Sequence, residues 1–292
     1  MLIVVAASGW WYLTAREAVP ATSDYVIDLD ELRRLADARS GPKPVDVAAE
    51  LVTEATLPRA AVFAGEPFTP HPMVHQVFQV RWADGTFVLI DTGMPAPLEG
   101  MSDAVFHADA FRDVLSAMAG ARLILVTHEH ADHLTGASAF QPATGLAGRL
   151  ALTSEQLANT KALADARIPE AMRSSLTALS FDRVVAVAPG VVVQKAPGHT
   201  PGSVLVYVRT ESGREYLFIG DVAWHRDQIR QLHYRPRLVT DYFLHEDRRA
   251  VLAQFRALHD FMQAHPDVVV VVSHDRDLRA ELIASGALKD GF

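Results

Sequence analysis

Thr127-His128-Glu129-His130-Ala131-Asp132-His133 follows without a break on the aliphatic run Leu123-Ile124-Leu125-Val126. A short apolar run of this kind reads as a buried strand. Three histidines and an aspartate therefore leave its C-terminal end together, the edge where α/β folds bind their ligands. Imidazole and carboxylate groups packed this tightly are costly when uncompensated, and one or two divalent cations turn the same cluster into a favourable site. A lone histidine on a loop carries no such weight; H-x-H-x-D-H at the end of an aliphatic strand does.

Outward from this stretch, three single residues occupy comparable positions. His199 lies in Ala196-Pro197-Gly198-His199-Thr200-Pro201-Gly202, a tight turn between two β-like runs. Asp221 closes Leu217-Phe218-Ile219-Gly220, and His274 follows the very apolar run Val268 to Ser273. Four apolar strands that each end on His or Asp form the rigid frame a preorganised metal cradle requires. The chain has 13 histidines, and the other eight (His71, His75, His107, His225, His233, His245, His259 and His265) lack this context. His259 and His265, on the last long helix, are expected to be solvated.

Composition narrows the chemistry. The 292 residues carry 27 Lys+Arg against 35 Asp+Glu, a net charge of −8, so the clustered cations that nucleic acid demands are missing and a small-molecule substrate is expected. With no cysteine, disulfide scaffolds, thiol nucleophiles and iron–sulfur clusters are excluded by inventory. A zincin H-E-x-x-H helix is excluded too, because Glu129 is followed by His130 and Asp132.

Along the chain, Asp28 to Arg39 predicts an amphipathic helix with Leu29, Leu32 and Leu35 on one face. β-like runs follow at 45–57, 73–82 and 86–91, the last two joined by the hairpin signal Asp84-Gly85. Helices are expected at 109–118, 154–165, 169–179 and 246–265, with a last one ending near Ser285, and strands at 122–127, 184–187, 191–195, 204–209, 216–219 and 268–273. Two similar batches of strands and helices predict a single α/β sandwich with sheets inside and helices outside. Met1 to Leu13 (MLIVVAASGWWYL) has the length of a signal-peptide core or short membrane anchor, and Val19-Pro20-Ala21 supplies a small-residue cleavage site, although no Lys or Arg precedes the run. Residues 1–21 are therefore expected to export the protein to the periplasm or anchor it, with the cytoplasm the location otherwise. The sequence sets no oligomeric state and allows a homodimer.

With these residues in view, the chain resembles the metallo-β-lactamase-fold hydrolase superfamily from about Met73 to the C-terminus. The resemblance implies a four-layer αββα sandwich over residues 45–292, preceded by a helical extension at 22–44. It implies that His128, His130 and His199 bind one metal, that Asp132, His133 and His274 bind a second, and that Asp221 bridges them. Nitrogen and carboxylate donors without thiolate suit two Zn²⁺, and Fe, Mn or Co match the donor types as well. The expected reaction is attack of a metal-activated hydroxide on a carboxyl derivative, with Asp132 orienting it and shuttling its proton.

A lactone or ester is the expected substrate, of the acyl-homoserine-lactone type among others. β-Lactam hydrolysis is the rival, disfavoured because true β-lactamases usually carry Cys or Ser where Asp221 stands; a non-catalytic metal-dependent binding module is the third reading. Acyl-homoserine lactonases typically place Tyr three residues after the bridging aspartate, where this chain has Trp224, and Tyr234 or His225 are the candidates to replace it. The stretch Trp224 to His245 is the expected specificity loop, with packing onto the following helix as the plain alternative. Arg235 and Arg237 would anchor a substrate carboxylate or form surface ion pairs, and Glu129 would orient a ligand or face solvent.

Overall fold

The computed structural model describes residues 9–96 and 103–292. Its strands are β1 (Asp46–Pro58), β2 (Pro70–Arg81), β3 (Phe87–Ile90), β4 (Val105–Phe106), β5 (Leu123–Leu125), β6 (Leu150–Ala151), β7 (Val184–Ala188), β8 (Val191–Lys195), β9 (Val204–Arg209), β10 (Glu215–Phe218), β11 (Val268–Val271) and β12 (Lys289–Asp290). One sheet runs β12-β1-β2-β3-β5-β6, with β4 on β1, and the other runs β11-β10-β9-β8-β7. The principal helices are α1 (Leu29–Ala38), α2 (Ala108–Gly120), α3 (Ala131–Ala139), α4 (Arg226–Arg230), α5 (Arg248–Ala264) and α6 (Arg276–Ala284).

The two sheets meet through interleaved aliphatic and aromatic side chains. Phe78 of β2 and Phe218 of β10 touch with ring centroids 4.8 Å apart, and Val80, Ile90, Val192 and Val206 belong to the same buried cluster. On its other face the first sheet packs Val77, Leu89 and Ile124 against Phe111, Val114 and Met118 of α2 and Leu134 of α3. Every residue of β10 is buried, which requires cover on both faces of the second sheet, and α5 and α6 supply Val251, Phe255, Leu258, Leu278 and Leu282 to its core. Helix α1 is amphipathic as its spacing requires: Leu29, Leu32 and Ala36 enter this same core, and Arg33 forks onto Glu215 with bonds of 2.8 and 2.7 Å.

Four stretches differ from the pattern read in the sequence. The run 154–165 breaks at Asn159, whose side chain caps a second turn by accepting from Ala162 N, and 169–179 keeps only the helical turn Glu170–Arg173 because Leu179 is drawn into a β-bridge with Thr153. The histidine motif, read as a strand end, runs on into α3. The stretch from Trp224 is not a loop throughout: it holds α4 and a π-helical turn at Leu238–Phe243.

Residues 1–8 of the expected leader lie outside the described residues, and among those described no helix is long and apolar enough to cross a membrane. Residues 9–14 are helical; beyond them Arg16 pairs with Glu66 and Glu17 with Arg237.

Candidate metal centre

The motif leaves β5 in extended conformation and enters α3 with His130 at its N-cap, so Asp132 stands in the first turn, where free amide groups favour a carboxylate. Gly136 lets α3 approach the turn after β3: its N–H donates to Gly93 O at 2.8 Å, and a Cβ there would lie 1.9 Å from Thr92 O. Gly220, at φ 51°, turns the chain after β10 immediately before Asp221 and lies close against Thr127, where a Cβ would come within 3.0 Å. His199 follows β8, and His274 follows β11.

These elements bring all seven predicted residues together in two groups. The donor atoms of His128, His130 and His199 lie within 4.8 Å of one another, as do those of Asp132, His133, Asp221 and His274. His130 Nδ1 and His199 Nε2 are 3.0 Å apart, and His133 Nε2 and His274 Nε2 are 3.3 Å apart. Asp221 stands between the groups. Its Oδ1 is 3.3 and 3.0 Å from Nε2 of His133 and His274, while its Oδ2 is 3.8 and 3.7 Å from Nε2 of His128 and His199.

Around them lies a shell of orienting groups. His133 Nδ1–H donates to Asp91 Oδ2 at 2.8 Å, His274 Nδ1–H to Val74 O at 2.8 Å, and His199 Nδ1–H to Glu246 Oε1 at 2.6 Å. Each bond fixes the tautomer that leaves an Nε2 lone pair for a metal. Asp91 also accepts from Thr127 N at 2.7 Å and holds a left-handed φ of 68°, a conformation Asp tolerates better than most residues. Asp91 and Glu246 escaped the sequence reading, as did His75, which is buried with Nε2 3.5 Å from Asp132 Oδ2. Glu129 does not face solvent. It is fully buried and accepts from Asn159, Thr200 and Gly202, tying the His199 turn to the motif.

The electrostatics divide by group. Burial, and then the neighbouring His133, holds His128 well below the ordinary imidazole value; burial and His130 do the same to His199. Burial opposes the charge on both carboxylates, yet His133 beside Asp132 and His274 beside Asp221 hold them well below the usual range. Burial likewise opposes a charge on His133, which Asp132, Asp91 and Asp221 nevertheless raise well above its ordinary value. Burial thus favours the neutral lone-pair form at His128 and His199, while the carboxylates around His133 favour its charged form, whose added proton a bound cation would displace. The donor set fits divalent metal: among the described residues His128 Nε2 and Asp221 Oδ1 are buried without a hydrogen-bond partner, and pairs of imidazole nitrogens face each other.

Four of the donors, His130, Asp132, Asp221 and His274, line a cleft of about 430 Å³ whose apolar walls are Leu57, Met73, Trp224, Phe243 and Leu244. Trp224 donates its Nε1–H to Asp221 Oδ2 at 2.8 Å, so its indole serves the donor set as well as the wall. Tyr234 does not take the place expected for it: its hydroxyl is buried and donates to Glu246. His225 is not among the cleft residues either; it caps α4 and packs edge-on to Phe63 and His71. Arg235 anchors no substrate. It is 1% exposed, pairs with Glu246 and donates to Asp221 O and Val222 O, while Arg237 pairs with Glu17. His259 and His265 are half-buried rather than solvated, His259 through Ile229 O and His265 against Phe261.

Among solved structures, an N-acyl homoserine lactone hydrolase with the product N-hexanoyl-L-homoserine at its catalytic metal centre superposes with a TM-score of 0.62, covering 82% of this chain and 96% of that one at 16% identity. A probable metal-dependent hydrolase from Staphylococcus aureus gives 0.58, with 80% and 91% covered at 14% identity. The dizinc quorum-quenching lactonase AidC gives 0.57, with 81% and 91% covered at 14% identity. At these identities the likeness is one of fold. No curated protein matches the chain. The model of the metallo-beta-lactamase superfamily matches residues 72–274, more than two thirds of the sequence and the whole span of the seven donors, and the chain belongs to that superfamily.

Proposed function

We propose that the protein is a dinuclear metal-dependent hydrolase that opens a lactone or ester carrying an apolar acyl group. The observation that carries this reading is the meeting of two donor groups on one shared carboxylate, Asp221, beneath an apolar-walled cleft. His128, His130 and His199 would hold one zinc ion, Asp132, His133 and His274 the other, and Asp221 both. Zinc bound there supplies Lewis acidity for a carbonyl and lowers the pKa of water from 15.7 to about 7.

The remaining work falls to the chain. Asp132 lines the cleft and is half-buried, so its carboxylate is placed to take a proton from the attacking water and return it to the leaving oxygen. Trp224 Nε1–H holds Asp221 in place. Leu57, Met73, Phe243 and Leu244 exclude water and seat the acyl group. The structural neighbours that are lactonases support the substrate class, and an aspartate rather than Cys or Ser at position 221 speaks against β-lactams. The Met1–Leu13 run supports export or membrane attachment, which cell fractionation of the tagged full chain checks.

The test is a panel of lactones, esters, thioesters, phosphodiesters and β-lactams assayed on zinc-loaded protein. Lactone or ester turnover that rises with acyl length, and falls at least a hundredfold in Asp132→Asn, is the expected result. Turnover confined to phosphodiesters or β-lactams overturns the substrate class.

A further inference from the structure

His75 sits in the middle of β2, one of the most completely buried strands of the first sheet, where an aliphatic side chain would pack at lower cost. Opposite it, β1 carries a β-bulge: Leu51 pairs with Gln76 and Thr53 with His75, leaving Val52 unpaired. Bulges next to sites re-aim side chains. Here the neighbouring side chain is an imidazole that lines the cleft beside the second donor group. Its Nδ1 is buried without a partner among the described residues, whereas its Nε2 is 3.5 Å from Asp132 Oδ2. A neutral imidazole has a single N–H, and among the described residues it is Nε2 that has an acceptor nearby. The His75 and His274 rings pack edge-on at 4.7 Å. The same strand already fixes His274: Val74 O accepts from His274 Nδ1–H, Val74 N–H donates to His274 O at 3.2 Å, and Gln76 Nε2 donates to Ser273 O.

We propose that His75 is a positioning residue for Asp132, its Nε2–H directed at Asp132 Oδ2 so that β2 sets the orientation of two donors of the second group at once. This rests on the dinuclear reading above. Groups that orient metal ligands typically change metal affinity or activity by 10–100-fold when removed.

The experiment compares wild type, His75→Leu and His75→Gln, each loaded with zinc and titrated with a chromophoric chelator of known affinity. Thermal unfolding of the chelated forms serves as the fold control. Leu keeps the bulk without an N–H, and Gln restores an N–H near the position of Nε2. In His75→Leu one zinc equivalent should weaken 10–100-fold while the other stays within about twofold, and His75→Gln should recover part of the loss; kcat should fall more than KM rises. Two equivalents bound as in wild type by His75→Leu would overturn the assignment and leave His75 as cleft wall. Equal loss in Leu and Gln variants that fold normally would also overturn it. Wild-type protein that takes up no zinc overturns the dinuclear reading itself, and the role of His75 with it.

Discussion

Replacing Arg235 by Met removes the guanidinium paired with the buried Glu246, the residue that holds His199 through its Nδ1–H. Both side chains of the pair are 0% exposed, so Glu246 would keep only Tyr234 and His199 as partners in a medium that penalises its charge. Breaking a buried pair from one side costs about 3–5 kcal/mol. Two features place the loss. Arg235 Nε and Nη1 have no partners among the described residues, so part of the desolvation cost is already present and the figure belongs near the lower end. Its guanidinium also lies 4.8 Å from the Trp224 ring, a contact of about 0.5–2 kcal/mol that the substitution forfeits in part. At roughly 2–4 °C per kcal/mol for a large domain, Arg235→Met should lower the melting temperature by about 6–15 °C. Urea and thermal unfolding of chelated protein measure it. Glu246→Gln in the same background removes the orphaned charge, so the double variant should be more stable than the sum of the two single losses predicts, by about 0.5–3 kcal/mol. A loss under about 1 kcal/mol, or strict additivity, would refute the claim that Arg235 compensates the buried charge of Glu246.

Trp224→Phe keeps the aromatic wall and deletes the bond to Asp221 Oδ2, so zinc affinity by chelator competition should fall about tenfold or more; unchanged affinity contradicts that role. Gly136→Ala drives a Cβ into Thr92 O, and with backbone on both sides the overpacking should cost about 1–3 kcal/mol or more, visible as a lower melting temperature. Burial pushes the Glu215 carboxyl up, but the Arg33 fork and the Tyr207 hydroxyl outweigh it and hold the folded value below the ordinary one. Its contribution is therefore fully present above the unfolded value of about 4.3 and is lost as pH falls through the depressed folded value. Glu215→Gln should show a shallower decline of melting temperature below about pH 4.3, and a curve parallel to wild type refutes the linkage.

The donors were legible because they cluster just beyond the ends of β-like runs, a signal that survives without any knowledge of register. Asp91 ends the run Phe87–Ile90 in the same way and went unnoticed, because its partners Thr127 and His133 become neighbours only through the parallel pairing of β3 with β5. Glu246 meets His199 across 47 residues of chain, and no periodicity encodes that meeting. His75 sits within a strand whose buried faces both read as core, so alternation alone does not reveal which face meets the cleft. Helix α3 was missed for a further reason: Thr135 and Gly136 weaken its helical pattern, and its stability comes from packing on the Thr92-Gly93 turn.

The most direct test of the central claim is the metal content of protein purified without chelator, measured by mass spectrometry on wild type and on Asp221→Ala. The shared position of Asp221 predicts two divalent ions per chain in wild type and one or fewer in the variant, with lactone and ester turnover lost in step. Wild-type protein that hydrolyses these substrates with no bound metal, or an Asp221→Ala protein that keeps both ions and full turnover, would contradict it.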